Sequence, residues 1–243
     1  ADDLRASQMI FFLGTSHAAE HLRNAAYDKG CKITHNAEAA DLIFVSEDTP
    51  TDDDGHRNLN PIRALVDRAY ATGKPIVLTS QVPPGFTRSL IETRPYIHIY
   101  YQAETLRIKD AEERARNPEY IVIGCSDEIQ RLPLTYREYL SHFSCPFRMM
   151  KYEEAEFSKI AINMMLAAQV DATNKLSQAA ERVGASWEIV ASILQMDKRI
   201  GPFAYLEPGR WQDSKHLLRD HITLEEICTQ PDTWAKSRQF AQR

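Results

Sequence analysis

One uninterrupted helical pattern, over residues 151–184, constrains the fold of this chain more than any other feature. Apolar residues recur there at steps of three and four over about thirty positions without a proline, which predicts one long helix. At about 1.5 Å per residue, such a helix is roughly 45 Å long. Glu153, Glu154 and Glu156 lie near its start, where the helix dipole favours negative charge, and Gly184 supplies a stop. The rest of the chain must therefore cover a long apolar surface.

Before this helix, short β-branched and aromatic runs alternate with helical patterns. The predicted strands are 9–13, 42–45, 76–79, 97–101 and 121–124, and the predicted helices are 17–29, 60–72, 87–93 and 129–141. This alternation predicts an α/β fold, in which a reduced, mostly parallel Rossmann-like sheet over 1–150 precedes an α-helical domain over 151–243. Such sheets bind ligands beyond the carboxyl ends of their strands, so the loops after the strands are where site residues are expected.

Composition excludes several classes of partner. The chain has 243 residues, 43% of them apolar, without a run of eighteen apolar residues, so a globular protein with no membrane partner is expected. The net charge of −5 and the scattered basic residues do not favour nucleic acid. The first five residues lack the pattern of a signal peptide, and the widely spaced cysteines predict neither a zinc site nor a disulfide framework. The expected location is the cytoplasm.

Two further segments bear on cofactors and metals. Residues 14–19 follow the first predicted strand, where a dinucleotide-binding fold places its glycine-rich phosphate turn. Gly14 is present, but Ser16 and Ala19 occupy the second and third glycine positions, and a side chain at residue 16 crowds a pyrophosphate. The carboxylate that a dinucleotide-binding fold places about twenty residues later, to bind the ribose, is also absent.

The acidic loop 46–56 is interpreted as a solvated turn rather than a metal site, because its acids run consecutively.

The long helix carries two polar residues, Lys159 and Asn163, on one face near its start. An amine and an amide at this spacing suit the binding of a hydroxyl or carbonyl oxygen, although a solvent-directed lysine beside a surface asparagine explains the spacing as well. The segment 156–163, together with 183–185 and 196–201, resembles the central region of the UDP-glucose and GDP-mannose dehydrogenases. This resemblance implies that the long helix joins two domains and carries a dimer interface.

Other motifs resemble the same family. Residues 49–51 match a loop after one of its strands, and residues 79–85 are similar to its Ser-Thr-Val-Pro-Pro-Gly turn. By that match, Gln81 stands where the family has a threonine that helps to position the catalytic water. Glu104 falls on the family's catalytic glutamate, and Arg199 matches an arginine that reaches a sugar bound to the partner subunit.

The family's signature segment is altered in this chain. Residues 205–209 resemble its start, and counting onward from Gly209 places His216 on the nucleophilic cysteine, Arg219 on a lysine and Asp220 on an aspartate. By resemblance, about forty residues that complete the adenine half of the cofactor site are absent, and so is the third domain. Residues 223–226 form a capping-box pattern, and a terminal helix is predicted from Asp232.

The resemblance implies a full set of site residues, a cofactor and partners. The catalytic candidates are Glu104, Lys159, Asn163, His216 and Asp220, the substrate-binding candidates are Arg199 and Gln81, and the cofactor-binding candidates are Gly14, Thr49 and Ser80. The implied cofactor is NAD, but the altered phosphate turn predicts weak or absent binding. The implied ligand is a sugar nucleotide or a related small molecule, bound by a homodimer. No metal site is expected.

Three functions stay open at this point. The first is a shortened, divergent nucleotide-sugar dehydrogenase in which NAD binding and cysteine-dependent oxidation are lost. The second is a non-redox acid–base enzyme or lyase that acts on a sugar or hydroxyacid through the polar candidates, whose neighbouring charges tune one another. The third is a dimeric binding protein without catalysis. We further expect the five catalytic candidates to converge on one cleft.

Overall fold

The computed structural model describes residues 8–127 and 131–229. Within these residues the chain forms two compact units. The first unit comprises 8–50 and 57–159, and the second comprises 51–56 and 160–229. No helix in the described residues is long and apolar enough to span a membrane.

In the described part of the first unit, seven strands form one sheet. They are β1 Met9–Leu13, β2 Lys32–Ile33, β3 Leu42–Val45, β4 Ile76–Leu78, β5 Ile99–Gln102, β6 Ile121–Cys125 and β7 Phe147–Lys151. Their order is β2-β1-β3-β4-β5-β6-β7, and neighbouring strands run parallel except for β5 and β6, which are antiparallel. The mostly parallel α/β sheet predicted from the sequence is confirmed.

Helices alternate with these strands along the chain. They are α1 His17–Asp28, α2 Asn60–Tyr70, α3 Phe86–Thr93, α4 Ala111–Arg116 and α5 Leu134–Ser141. Short 3₁₀ turns lie at Ala37–Ala39 and Ile108–Asp110. Residues 129 and 130 of the helix predicted over 129–141 lie outside the described residues. From residue 131 onward the helix begins at Leu134, because Pro133 is extended and disfavours helical backbone at the residue before it.

The core occupies both faces of the sheet, as β3 demonstrates. Phe44 points to a cluster on one face, where it lies 4.8 Å from the Phe12 ring and 4.7 Å from the Tyr139 ring. Its neighbours in sequence, Ile43 and Val45, join the cluster on the other face. Since both faces are covered, β3 is a continuous apolar run rather than an alternating one.

The helices that follow the sheet in the described residues are α6 Tyr152–Arg182, α7 Trp187–Met196 and α8 Lys215–Thr229, with a 3₁₀ turn at Trp211–Asp213. The long predicted helix is confirmed as α6, and Gly184 follows it with a φ of +70°. Ser186 caps α7, since its hydroxyl accepts the N–H of Ile189 at 3.4 Å.

The capping box predicted at 223–226 is wrong. Thr223 lies inside α8, and its hydroxyl donates to the Arg219 carbonyl at 3.0 Å, one turn earlier. A hydroxyl that bonds back along a helix is compatible with an interior position, so the motif does not mark a helix start here. The helix predicted from Asp232 and the first five residues lie outside the described residues.

Candidate functional site

In the first unit, Glu104 and Gln81 meet at the carboxyl ends of two neighbouring parallel strands. Gln81 follows β4 and Glu104 follows β5, so the sheet places both side chains at one edge. The Gln81 Nε2 atom donates to Glu104 Oε2 at 3.4 Å, and Glu104 Oε1 accepts the backbone N–H of Leu106. The half-buried Glu104 carboxylate is thus held by one side chain and by its own loop.

Two of the cofactor candidates, Thr49 and Ser80, are buried and bind protein atoms. The Thr49 hydroxyl donates to the Gln81 carbonyl at 2.7 Å, and the Ser80 hydroxyl accepts the N–H of Glu47 at 3.0 Å. These bonds join the loop after β3 to the loop after β4. They fix the backbone position of Gln81, whose side chain is the hydrogen-bond partner of Glu104.

The start of α6 is anchored to the start of α3 by Glu156, whose side chain is fully buried. Its carboxylate accepts the N–H of Gly85 at 2.6 Å and the N–H of Thr87 at 2.9 Å, at the N-terminus of α3. Burial raises the pKa of Glu156 to about 8. One turn earlier, Glu153 pairs with Arg88, whose Nη2 lies 3.0 Å from Glu153 Oε2.

Lys159 lies one turn after Glu156 on α6 and is 8% exposed. That burial does not fit the solvent-directed interpretation of this lysine. Glu156 was not among the predicted site residues, because its position near the helix start suggested only an interaction with the helix dipole. The available signal was a carboxylate spaced three residues from Lys159 in a largely apolar segment.

In the second unit, Asn163 and Asp220 form a buried pair. Asn163 Nδ2 donates to Asp220 Oδ2 at 2.6 Å, and the two side chains are 8% and 1% exposed. His216 lies one turn before Asp220 on α8 and is exposed. Arg199 is also exposed, and its Nη2 lies 2.7 Å from Asp197 Oδ2. The structure thus joins two of the predicted residues here, and the convergence of all five catalytic candidates stays a prediction.

The loop between β1 and α1 keeps its glycine at residue 14. Gly14 has a φ of +130°, and a Cβ there would lie 1.9 Å from the Ser46 carbonyl oxygen. Its lack of a side chain therefore permits close packing against the end of β3. Ser16 caps α1: its hydroxyl accepts the N–H of Ala19 at 3.0 Å and donates to the Ser46 carbonyl at 3.1 Å.

A carboxylate from the chain itself binds this loop. Glu47 Oε2 accepts both the N–H of Thr15 at 2.9 Å and its hydroxyl at 3.1 Å, while Glu47 Oε1 accepts the N–H of Asp48 at 3.1 Å. Donors at this position, ahead of the first helix, are those that a dinucleotide-binding fold offers to a pyrophosphate. In this structure the Glu47 carboxylate binds the two donors of Thr15. The sequence did not indicate this contact.

Helix α7 presents an apolar surface without a covering element among the described residues. None of its side chains is fully buried, and Ile189, Ile193 and Met196 are 69%, 61% and 77% exposed. Val183 before the helix and Phe203 after it are also strongly exposed. Contiguous exposed apolar surface of this kind is typical of a protein–protein interface.

Comparison with known proteins identifies the ancestry of this arrangement. Residues 153–239 match the model of the UDP-glucose/GDP-mannose dehydrogenase family, central domain. The UDP-glucose 6-dehydrogenase YwqF of Bacillus subtilis is 32% identical over 220 residues, which are 84% of this chain and 46% of that protein. The UDP-glucose 6-dehydrogenase of Rhizobium meliloti is 33% identical over 210 residues, 80% of this chain and 47% of that protein.

The chain belongs to the UDP-glucose/GDP-mannose dehydrogenase family. The homology is distant, and the chain spans about half the length of these two relatives. Among solved structures, a UDP-glucose dehydrogenase from Pyrobaculum islandicum has a TM-score of 0.69 at 23% identity, covering 92% of this chain and 66% of that one. A UDP-D-ManNAc dehydrogenase from Pyrococcus horikoshii has a TM-score of 0.70 at 13% identity, covering 87% and 63%. Both structures share the fold, and the family predicted from the motifs is confirmed.

Proposed function

We propose that this family member binds a sugar nucleotide or a related small molecule and does not oxidise it with NAD. The observation that carries the proposal is the Glu47 carboxylate, which binds Thr15 in the loop where a pyrophosphate would lie. The relatives are dehydrogenases of nucleotide sugars by name, which supports the ligand class. The loss of one cofactor does not require the loss of the sugar-binding residues.

The replacement of the family's nucleophilic cysteine supports the same conclusion. Oxidation of an alcohol to an acid in this family is expected to need a thiolate that captures the aldehyde, and here His216 stands at that position by resemblance. An imidazole does not form a comparably stable adduct. Cys31 and Cys125 do not replace the thiolate, because burial raises the pKa of each to about 11 and keeps the thiol protonated.

We assign the sugar-binding role to the polar residues of both units. Glu104, positioned by Gln81, offers a carboxylate to sugar hydroxyls, and the largely buried Lys159 offers an amine. Asn163 and Asp220 offer an amide and a carboxylate. In this proposal Arg199 reaches a ligand bound to a second copy of the chain.

A non-redox acid–base reaction is the second candidate. The observation that favours it is the burial of the Lys159 side chain, because a lysine removed from water is the type that serves as a general base or a Schiff-base amine. Turnover of a sugar or hydroxyacid without nicotinamide would distinguish this function from simple binding.

Calorimetry with UDP-glucose, GDP-mannose and NAD tests the proposal. We expect heat of binding from a sugar nucleotide, none from NAD, and no formation of NADH when both are present. Asp220→Asn is expected to weaken sugar binding, whereas Asp213→Asn, which alters an exposed aspartate of the same unit, is the matched control. NADH formation with either sugar nucleotide would contradict the proposal.

A further inference from the structure

Helix α1 begins with two histidines that face each other. His17 and His21 are four residues apart, and their Nε2 atoms lie 2.9 Å from each other, within hydrogen-bonding distance. The ring centroids are 4.2 Å apart, with the ring planes at 87°. His17 is exposed and His21 is half-buried, so solvent reaches the pair. Neither residue has a role in the proposed function.

The separation of the two nitrogens matches the bite of a metal chelate. Metal–imidazole bonds are about 2.0–2.1 Å long, so two nitrogens at right angles on one ion lie roughly 2.9 Å apart. At a tetrahedral angle the same bonds give roughly 3.3 Å. The observed 2.9 Å fits adjacent positions of a square-planar or octahedral ion, and a small rotation of one ring reaches the tetrahedral value.

We propose that His17 and His21 form a binding site for a divalent first-row transition metal such as Ni²⁺, Cu²⁺ or Zn²⁺. Imidazole pairs four residues apart on a helix are established ligands for such ions, whereas Mg²⁺ and Ca²⁺ take oxygen ligands. Water fills the remaining positions. Glu20, in the same first turn, offsets the repulsion between the cation and the positive end of the helix dipole.

A second group of ligand atoms provides an internal control. Asp52, Asp54 and His56 have ligand atoms within 4.8 Å of one another, and all three are exposed. The His56 N–H donates to Asp52 Oδ1 at 2.8 Å, so this group is part of a hydrogen-bonded turn. A metal that binds nonspecifically to acidic surface would favour this group, while the proposed chelate would not involve it.

The test is calorimetric titration of the full chain, freed of any affinity tag and of bound metal, with Ni²⁺, Cu²⁺, Zn²⁺ and Mg²⁺. We expect one transition-metal ion per chain and no heat from Mg²⁺. Replacing either histidine, by His17→Ala or His21→Ala, should weaken binding by at least about tenfold, because one of two protein ligands is lost. His56→Ala should leave the affinity unchanged.

A spectroscopic readout locates the ion independently. Paramagnetic Cu²⁺ should broaden the amide signals of α1 first, and far-ultraviolet circular dichroism checks that each variant keeps its helices. The proposal is overturned if no transition metal binds, if the double variant His17→Ala/His21→Ala binds as well as the wild type, or if His56→Ala alone removes binding. Each of these results leaves the proposed sugar binding untouched, since none of these histidines takes part in it.

Discussion

At the scale of single residues, two carboxylates make long-range hydrogen bonds within the first unit. Glu47 satisfies the donors of Thr15, and Glu156 satisfies the N–H groups of Gly85 and Thr87. Both act over sequence separations that no local pattern reveals. Each of the two carboxylates leads to a testable prediction.

Replacing Glu47 should make the donors of Thr15 available to a phosphate. Glu47→Ala frees the donors of Thr15, and Ser16→Gly removes the side chain that crowds the loop at a helix-stability cost of only a few tenths of a kcal/mol. We expect the double variant to bind NAD at least about tenfold more tightly than either single variant, because both obstacles must be removed. Calorimetry measures this, with Glu38→Ala as the exposed-carboxylate control. Equal affinities in all variants would contradict the role of Glu47.

Glu156 should make stability depend on pH. Its pKa in the folded chain is raised from the ordinary 4.5 to about 8, so the folded state keeps a proton that the unfolded state releases. Its stabilising effect is therefore complete below about pH 4.5 and is lost as the pH rises towards 8. Relative to Glu156→Gln, the wild type should lose free energy of unfolding between pH 5 and 8 in urea titrations.

The control for this pH effect is Glu181→Gln, which alters an exposed glutamate of the same helix and should show no such trend. A wild type that gains stability as the pH rises would contradict the prediction. That result would mean that the two backbone N–H bonds, and not burial, determine the charge of Glu156.

At the scale of elements, the sequence was most informative where the signal is local. The apolar repeat of α6 and the buried runs of β1 and β3 identified those elements correctly, because each carries its own periodicity. Strand β7 was missed because its sequence, FRMMK, is partly charged and half-exposed, and its identity depends on pairing with β6. The contact of Glu47 with Thr15 was unpredictable for the same reason, since it joins residues 32 positions apart.

The hydrogen bond between α6 and α8 gives a prediction at this scale. Asn163→Ala leaves the buried Asp220 carboxylate without this donor, which should lower the free energy of unfolding by about 1–3 kcal/mol. Gln178→Ala, at an exposed position of α6, is the matched control. A double-mutant cycle with Asp220→Ala isolates the pair, and a coupling energy near zero would contradict its contribution.

At the scale of the whole molecule, the exposed apolar surface of α7 predicts a homodimer. Light scattering of the 27.8 kDa chain should give twice that mass at tens of micromolar. Ile193→Glu places a charge in the apolar surface and should produce a monomer, while Gln195→Glu, at an exposed polar position of the same helix, should not. A monomeric wild type would contradict the prediction.

The chain is a member of a dehydrogenase family and keeps the fold of that family, and we propose that Glu47, which binds Thr15, prevents NAD from binding. The most direct test is calorimetric titration of the wild-type chain with NAD and with NADH, using a sugar nucleotide as the positive comparison. We predict no measurable heat from either dinucleotide at concentrations where the sugar nucleotide binds. A micromolar dissociation constant for NAD or NADH would contradict the account.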